Sequence, residues 1–232
     1  MNKITLAIKK ITNTQSADRV LHSSGDKVTY LIAGLGNPGR EYKANRHNIG
    51  FMVVDQLGSR LGVQFSRLES KALVAKVNFE GIPLILAKPQ TYMNLSGQSV
   101  GSLVKYYKIN LENLMVVYDD VDLPFGSLRL RPGGGSAGQK GMESIIERLG
   151  GSGFPRLRIG IGRPPGRMEA ADYVLKNFST SEAEFLPEIL DRACDAIFTY
   201  LRDGINSAMN QFNAANLENN QPWSRNISSA YL

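Results

Sequence analysis

Residues 114–118 read Leu-Met-Val-Val-Tyr, five apolar side chains in a row, followed at once by Asp119 and Asp120. A strand that is apolar on both faces has to be covered on both faces. It therefore belongs in the middle of a sheet with helices packed above and below. Thr29–Gly34 is a second apolar run, ending in a glycine turn, and Ser127–Arg131 and Arg156–Gly162 read as further strands. Lys71–Phe79 and Ile82–Ala87 form a hairpin about Glu80-Gly81. Helical spacing of Ile49, Val53, Gln56 and Leu57 predicts a helix over Ile49–Leu61, and others are expected at Gly97–Tyr107 and Gly141–Leu149. A longer helix is expected over Glu182–Asp203. Ser181 and Glu184 would form its capping box, Phe185, Ile189, Ala193, Ile197 and Leu201 its buried stripe, and Gly204 would follow its end. Strands alternating with helices, plus one hairpin, predict an α/β fold: a single domain over residues 29–212 with a mixed sheet flanked by helices.

The flanks differ in character. Residues 1–28 form a polar, mildly basic extension expected to be flexible, and the Asn- and Ser-rich tail over 213–232 lacks periodicity and is expected to be largely disordered. The patch Ile4-Thr-Leu-Ala-Ile8 is too short for a secretory core, although the few acids around it leave an organelle transit peptide open. No apolar run approaches the roughly 20 residues that span a bilayer. The expectation is a cytoplasmic monomer with no membrane segment.

Histidine and cysteine are scarce. The one cysteine, Cys194, excludes an internal disulfide and a cysteine-based metal cluster, and its place on an apolar helix side predicts a small core residue. With only His22 and His47, a histidine-rich zinc site is excluded and any imidazole chemistry rests on one of the two. Charge is placed unevenly. Residues 128–167 hold Arg129, Arg131, Lys140, Arg148, Arg156, Arg158, Arg163 and Arg167 against Glu143 and Glu147, which is the whole surplus of +6. Such a basic stretch suits a polyanion, because each phosphate it neutralises releases counterions; a solvated basic face is the plainer alternative.

Two glycine clusters invite phosphate-binding readings. Gly34-Leu-Gly-Asn-Pro-Gly39 matches the dinucleotide pattern after a strand, but Pro38 keeps Asn37 out of helical geometry, and Asp55, the acid at the right distance, falls inside a helix. Gly133–Gly138 lacks the Gly-Lys-Ser/Thr of a triphosphate loop, since Gln139-Lys140-Gly141 follows. It is either a loop that approaches an RNA backbone or a plain strand-to-helix connection. A third cluster sits where strands end: Arg46-His47-Asn48, Met93-Asn94-Leu95 and Asp119-Asp120-Val121-Asp122. Polar groups just beyond strand ends converge on the crevice of an open α/β sheet. A histidine oriented by a carboxylate is a general base for water. Taken alone, His47 could equally be a surface or capping residue, Asp119 a loop cap and Asn94 a helix cap.

Together, however, Gly34-Leu-Gly-Asn-Pro-Gly-Arg-Glu-Tyr42, Arg46-His-Asn-Ile-Gly-Phe51, Lys88-Pro-Gln-Thr-Tyr-Met-Asn-Leu-Ser-Gly97, Asp119-Asp-Val-Asp-Leu-Pro-Phe-Gly126 and Arg156-Leu-Arg-Ile-Gly-Ile-Gly-Arg-Pro164 resemble the signature segments of bacterial-type peptidyl-tRNA hydrolases, in family order over residues 29–212. The resemblance implies a single α/β domain with a twisted mixed sheet, no metal and no cofactor, no obligate protein partner, and peptidyl-tRNA as substrate. It implies that His47 is the catalytic base, Asp119 the acid that supports it, and Asn37 the residue that tells an N-blocked aminoacyl group from a free one. Tyr42, Tyr92 and Asn94 match contacts to the peptide and the tRNA 3′ end, Met93 lies in the same wall, and Arg131 with Arg158 matches a grip on the tRNA 5′ phosphate. One departure is Gln139-Lys140-Gly141 where many members carry His-Asn-Gly. Lys140 then stands where an asparagine contacts the RNA, and lysine can hold a phosphate but cannot accept a hydrogen bond. The competing expectation is a non-hydrolytic RNA-binding relative of the kind that assists intron splicing in plant organelles, against which the retention of His47, Asp119, Asn37 and Asn94 argues.

Overall fold

The computed structural model describes residues 28–213. The expectations for the N-terminal extension, for His22 and for the tail beyond Asn213 lie outside these residues. Seven strands form one mixed sheet in the order β2-β3-β4-β1-β5-β7-β6. They are β1 (Tyr30–Gly34), β2 (Arg67–Glu69), β3 (Ala72–Phe79), β4 (Ile82–Pro89), β5 (Leu114–Asp120), β6 (Leu128–Arg131) and β7 (Arg156–Gly160). β1 lies parallel to both β4 and β5, and β5 parallel to β7. β3 is antiparallel to β4 and β6 to β7. The β3–β4 turn has Glu80 at φ 51° and Gly81 at φ 89°, the doubly left-handed turn whose twist matches a tight hairpin. The short edge strand β2 had no signature in the sequence.

β5 is buried over its full length. Along it and β1, alternate side chains feed two separate cores. Ile32, Met115 and Val117 pack with Val53 and Leu57 of α1 (Ile49–Arg60) and with Ile189, Ala193 and Ile197 of α6 (Leu186–Asn213). Leu31, Ala33, Val116 and Tyr118 pack with Val100 and Leu103 of α2 (Ser96–Tyr106) and with Met142 and Ile145 of α3 (Lys140–Leu149). The helices thus cover both faces, as an apolar central strand demands. Cys194 is fully buried in the α6 core.

The C-terminal helices depart from the expected boundaries. The capping box is made by Ser179 and Glu182, two residues earlier than predicted, and opens the short α5 (Thr180–Ala183). The cause is tertiary: the Glu182 carboxylate that closes the box is also buried against Arg46. α6 does not stop before Gly204. It kinks there, at φ 82° and ψ 172°, and continues to Asn213. The continuation brings the Asn213 carboxamide onto β6, where it accepts from the Leu130 N–H at 2.7 Å and donates to the Leu130 carbonyl at 3.0 Å. A further short helix, α4 (Ala170–Val174), was not expected from the sequence. No helix among the described residues is long and apolar enough to cross a membrane.

The connection leaving β1 leads to α1 on one face of the sheet, and the one leaving β4 leads to α2 on the other. Neighbouring parallel strands whose connections part in this way open a crevice at their carboxyl ends. α1 approaches so closely that a Cβ on Gly34 would lie 2.1 Å from the Gly50 carbonyl oxygen, and one on Gly50 would lie 2.4 Å from that of Val117. Glycine at both positions lets backbone meet backbone. The glycine pattern after β1 is therefore a packing device: the helix begins at Ile49, well beyond Gly39, and Asp55 inside it is ion-paired with Lys88.

Candidate active site

His47 sits in a tight 3-10 turn, Arg46–Asn48, directly before α1. Its neighbours hold the turn from both sides. Arg46 is buried, forms an ion pair with Glu182 at 2.6 Å, donates to the Asn177 carbonyl at 2.6 Å, and lies 4.3 Å from the centre of the Tyr173 ring. Asn48 is buried too. It accepts from the Asn37 N–H at 2.9 Å and donates to the Asn37 carbonyl at 2.9 Å, tying the turn to the loop after β1. Between these anchors the His47 ring is still partly open to solvent.

Asp119 lies near the carboxyl end of β5, on the alternation that faces α1. Its Oδ2 is 2.8 Å from Nδ1 of His47, and its side chain is 3% exposed. An ionised carboxylate only accepts, so Nδ1 carries the proton and Nε2 keeps the lone pair in the neutral ring. Nε2 makes no hydrogen bond with the described residues. The Asp119–His47 pair expected from the sequence is thus present in the structure.

The second wall of the crevice is the turn Met93–Leu95 after β4. The Met93 N–H donates to Oδ1 of Asn37 at 2.8 Å, which fixes the orientation of that carboxamide. Asn37 and Met93 are buried, while Tyr92, 61% exposed, and Asn94 on the same turn are open to solvent. Asn94 does not cap α2, whose N-cap is Leu95 with no side-chain bond. Tyr42 is half-buried in the turn Arg40–Tyr42.

The loop over residues 132–139 joins β6 to α3. Lys140 is the first residue of α3, and its exposed ammonium is 3.0 Å from Glu143. It is Gln139, the N-cap, that reaches the crevice, its Nε2 standing 3.3 Å from Oδ1 of Asp119 and 3.3 Å from the Met93 sulfur. Sequence reasoning noted Gln139 only as a departure from a pattern. It named Arg46 and Asn48 beside His47 but gave neither a role.

The basic stretch divides on folding. Arg129, Arg131, Arg156 and Arg158 share one face of the β6–β7 ladder, with Arg129 opposite Arg158 and Arg131 opposite Arg156. Arg156 is buried and bound to the carbonyls of Gly135 and Ser152, so it is structural. Arg158 pairs with the buried Asp120, and Arg163 with Asp122. Arg131 is exposed and forms no ion pair with the described residues. Among the described residues no three His, Cys, Asp or Glu side chains converge as a metal-ligand set.

A family model described as peptidyl-tRNA hydrolase matches residues 31–221. The chain is 51% identical over 185 residues to a peptidyl-tRNA hydrolase of Chloroflexus aurantiacus, covering 79% of this chain and 98% of that protein. It is 52% identical over 183 residues to the chloroplastic peptidyl-tRNA hydrolase of Arabidopsis thaliana, covering 78% of this chain and 64% of that longer protein. A crystal structure of peptidyl-tRNA hydrolase from Acinetobacter baumannii superimposes with a TM-score of 0.76 at 36% identity, over 82% of this chain and 98% of the other. The chain belongs to the peptidyl-tRNA hydrolase family of enzymes.

Proposed function

We propose that this protein hydrolyses the ester between a peptide, or an N-blocked aminoacyl group, and the 3′ ribose of tRNA, with His47 as general base and Asp119 as its support. The observation that carries this reading is the 2.8 Å contact that commits Nδ1 of His47 to Asp119 and leaves Nε2 without a partner. Nε2 takes a proton from water, the hydroxide adds to the ester carbonyl, and the imidazolium, steadied by Asp119, returns the proton to the departing ribose oxygen. Amide donors around Asn37 and Asn94 hold the peptide backbone and the developing oxyanion.

Specificity follows from the hydrogen-bond inventory. Oδ1 of Asn37 is occupied by the Met93 N–H, so the carboxamide offers the substrate an NH2. A donor can hold the carbonyl of a blocked amino group but only repels an α-ammonium. Tyr92 or Tyr42 stacks on the terminal adenosine, which contributes about 1–3 kcal/mol per base. Met93 shapes the wall beneath. Lys140 contacts the RNA as a point charge, and Arg131 with Arg158 holds the 5′ phosphate, giving affinity that any tRNA shares. The same reading has the protein working as a cytoplasmic monomer without cofactor or obligate protein partner.

The test is release of the acyl group from N-blocked and from unblocked aminoacyl-tRNA, with His47→Ala alongside. Rapid release from the blocked substrate alone, lost in the variant, is the expected result. Tight RNA binding without release would replace the reading with that of a non-hydrolytic relative.

A further inference from the structure

We infer that Gln139 is a positioning residue that sets the orientation of Asp119, and through it the charge state of His47; this rests on the reading of His47 as the base. Its carboxamide is fixed from the helix side. Oε1 accepts the Met142 N–H at 2.7 Å as the N-cap of α3. Turning the amide over would set NH2 against N–H there and oxygen against carboxylate at Asp119, two repulsions in place of two bonds. The cap therefore decides that the NH2 group faces the crevice.

There Nε2 has two neighbours. It donates to Oδ1 of Asp119 at 3.3 Å, while Oδ2 of the same carboxylate serves His47. With both oxygens engaged, the carboxylate has no freedom to turn away from the imidazole. Nε2 also lies 3.3 Å from the sulfur of Met93, whose backbone N–H holds Asn37. One carboxamide thus joins the helix end, the Asp119–His47 pair and the Asn37 wall. Room for it is kept by Gly141, where a Cβ would lie 2.5 Å from the Met93 sulfur and 3.0 Å from Oε1 of Gln139. Gln139 supplies its donor without titrating, so the pair carries no third ionising group.

The other charged groups on elements packed against this pair are mostly committed. Arg46 is bound to Glu182, Asp120 to Arg158, Lys140 to Glu143, Asp55 to Lys88 and Arg60 to Asp195. On α4, Asp172 is exposed. A charge introduced at residue 139 is therefore read by Asp119 and His47 first.

Gln139→Glu separates a positioning role from a capping one, because its carboxylate still accepts the Met142 N–H but meets Oδ1 of Asp119 as a like charge. The chain has two histidines, so its imidazole signals can be followed by NMR titration and assigned with His47→Ala. The expected result is an unchanged KM and a melting temperature lowered by the repulsion between the two carboxylates, with the His47 titration and the acid limb of kcat/KM both displaced upward by about half to one pH unit. Gln139→Met, which adds no charge, is expected to lower kcat about tenfold and to broaden the downfield Nδ1–H resonance of His47. An unmoved His47 titration in Gln139→Glu, or a sharp Nδ1–H signal with full kcat in Gln139→Met, would overturn the inference. Full activity in His47→Ala would instead overturn the catalytic reading and leave the NMR result standing.

Discussion

Both polar groups of the Asn48 side chain are spent on the backbone of Asn37, eleven residues earlier, so this residue fixes a loop and never needs to meet substrate. Asn48→Ala leaves two buried backbone groups without partners, at about 1–3 kcal/mol each. We expect kcat/KM to fall at least tenfold while the His47 titration stays in place, measured by steady-state hydrolysis and NMR on the same sample. Cys194 is the opposite case, a reactive atom with no task. Burial pushes its thiol up from 9.0 to about 12. It should resist iodoacetamide at pH 8 until the chain unfolds. Because the folded value is the higher one, stability is unaffected below about pH 9 and declines between pH 9 and 12, as the unfolded chain loses the proton first. A denaturant series over that range should show a shallower slope in Cys194→Ala than in the native protein, the buried tyrosines Tyr118 and Tyr200 supplying the remainder. The contact between His47 and Asp119 was legible because an imidazole and a carboxylate stand in recognisable segments beside strand ends. Asn48 and Gln139 were not, since what they bind is backbone and second oxygens that only the folded chain brings near.

At the level of elements, the turn that carries His47 is fastened to α5 by the Arg46–Glu182 pair, with both side chains less than 10% exposed. Removing one partner of a buried pair strands the other charge. Glu182→Ala should therefore destabilise by about 3–5 kcal/mol, seen as a lowered denaturation midpoint. It should also loosen His47, although position 182 lies well away from Asp119 in the chain. This contact explains the misplaced capping box. Ser181 and Glu184 have the right spacing, and so do Ser179 and Glu182, and local sequence cannot choose between them. The choice is made by Arg46, which lies 136 residues away in the chain from Glu182. Elements defined by apolar periodicity, such as β5 and α1, matched within a residue or two. The three-residue β2 and five-residue α4 are too short to show a period, and α6 runs through a glycine that by itself reads as a stop.

Across the whole molecule, the basic surplus that the sequence concentrates in residues 128–167 is sorted by the sheet into structural and available charge. Arg156 is spent within the fold, Arg158 gives its Nε to Asp120 and keeps part of its guanidinium accessible, and Arg131 is open. Replacing Arg158 would leave Asp120 buried without its partner and mix stability with binding, so Arg131→Ala is the cleaner probe. It should weaken tRNA binding evenly across tRNA species and lower the slope of log K against log salt by about 1, measured by filter binding. The global packing makes a matching demand where α1 crosses the sheet. Gly50→Ala would force a methyl group against the backbone of Leu35 and Val117, and should lower the melting temperature more than any other alanine placed in α1. The sheet margins carry a last consequence. Any outermost strand exposes amide and carbonyl groups that can template the addition of a foreign chain. At β2 that hazard is limited to three residues, two of them charged. At β6 the Asn213 carboxamide plugs both backbone groups of Leu130, standing in for a neighbour one residue long. The kink that lets α6 run past Gly204 thus also closes one rung of that margin, and Asn213→Ala should self-associate more readily than the parent at high concentration, measured by light scattering.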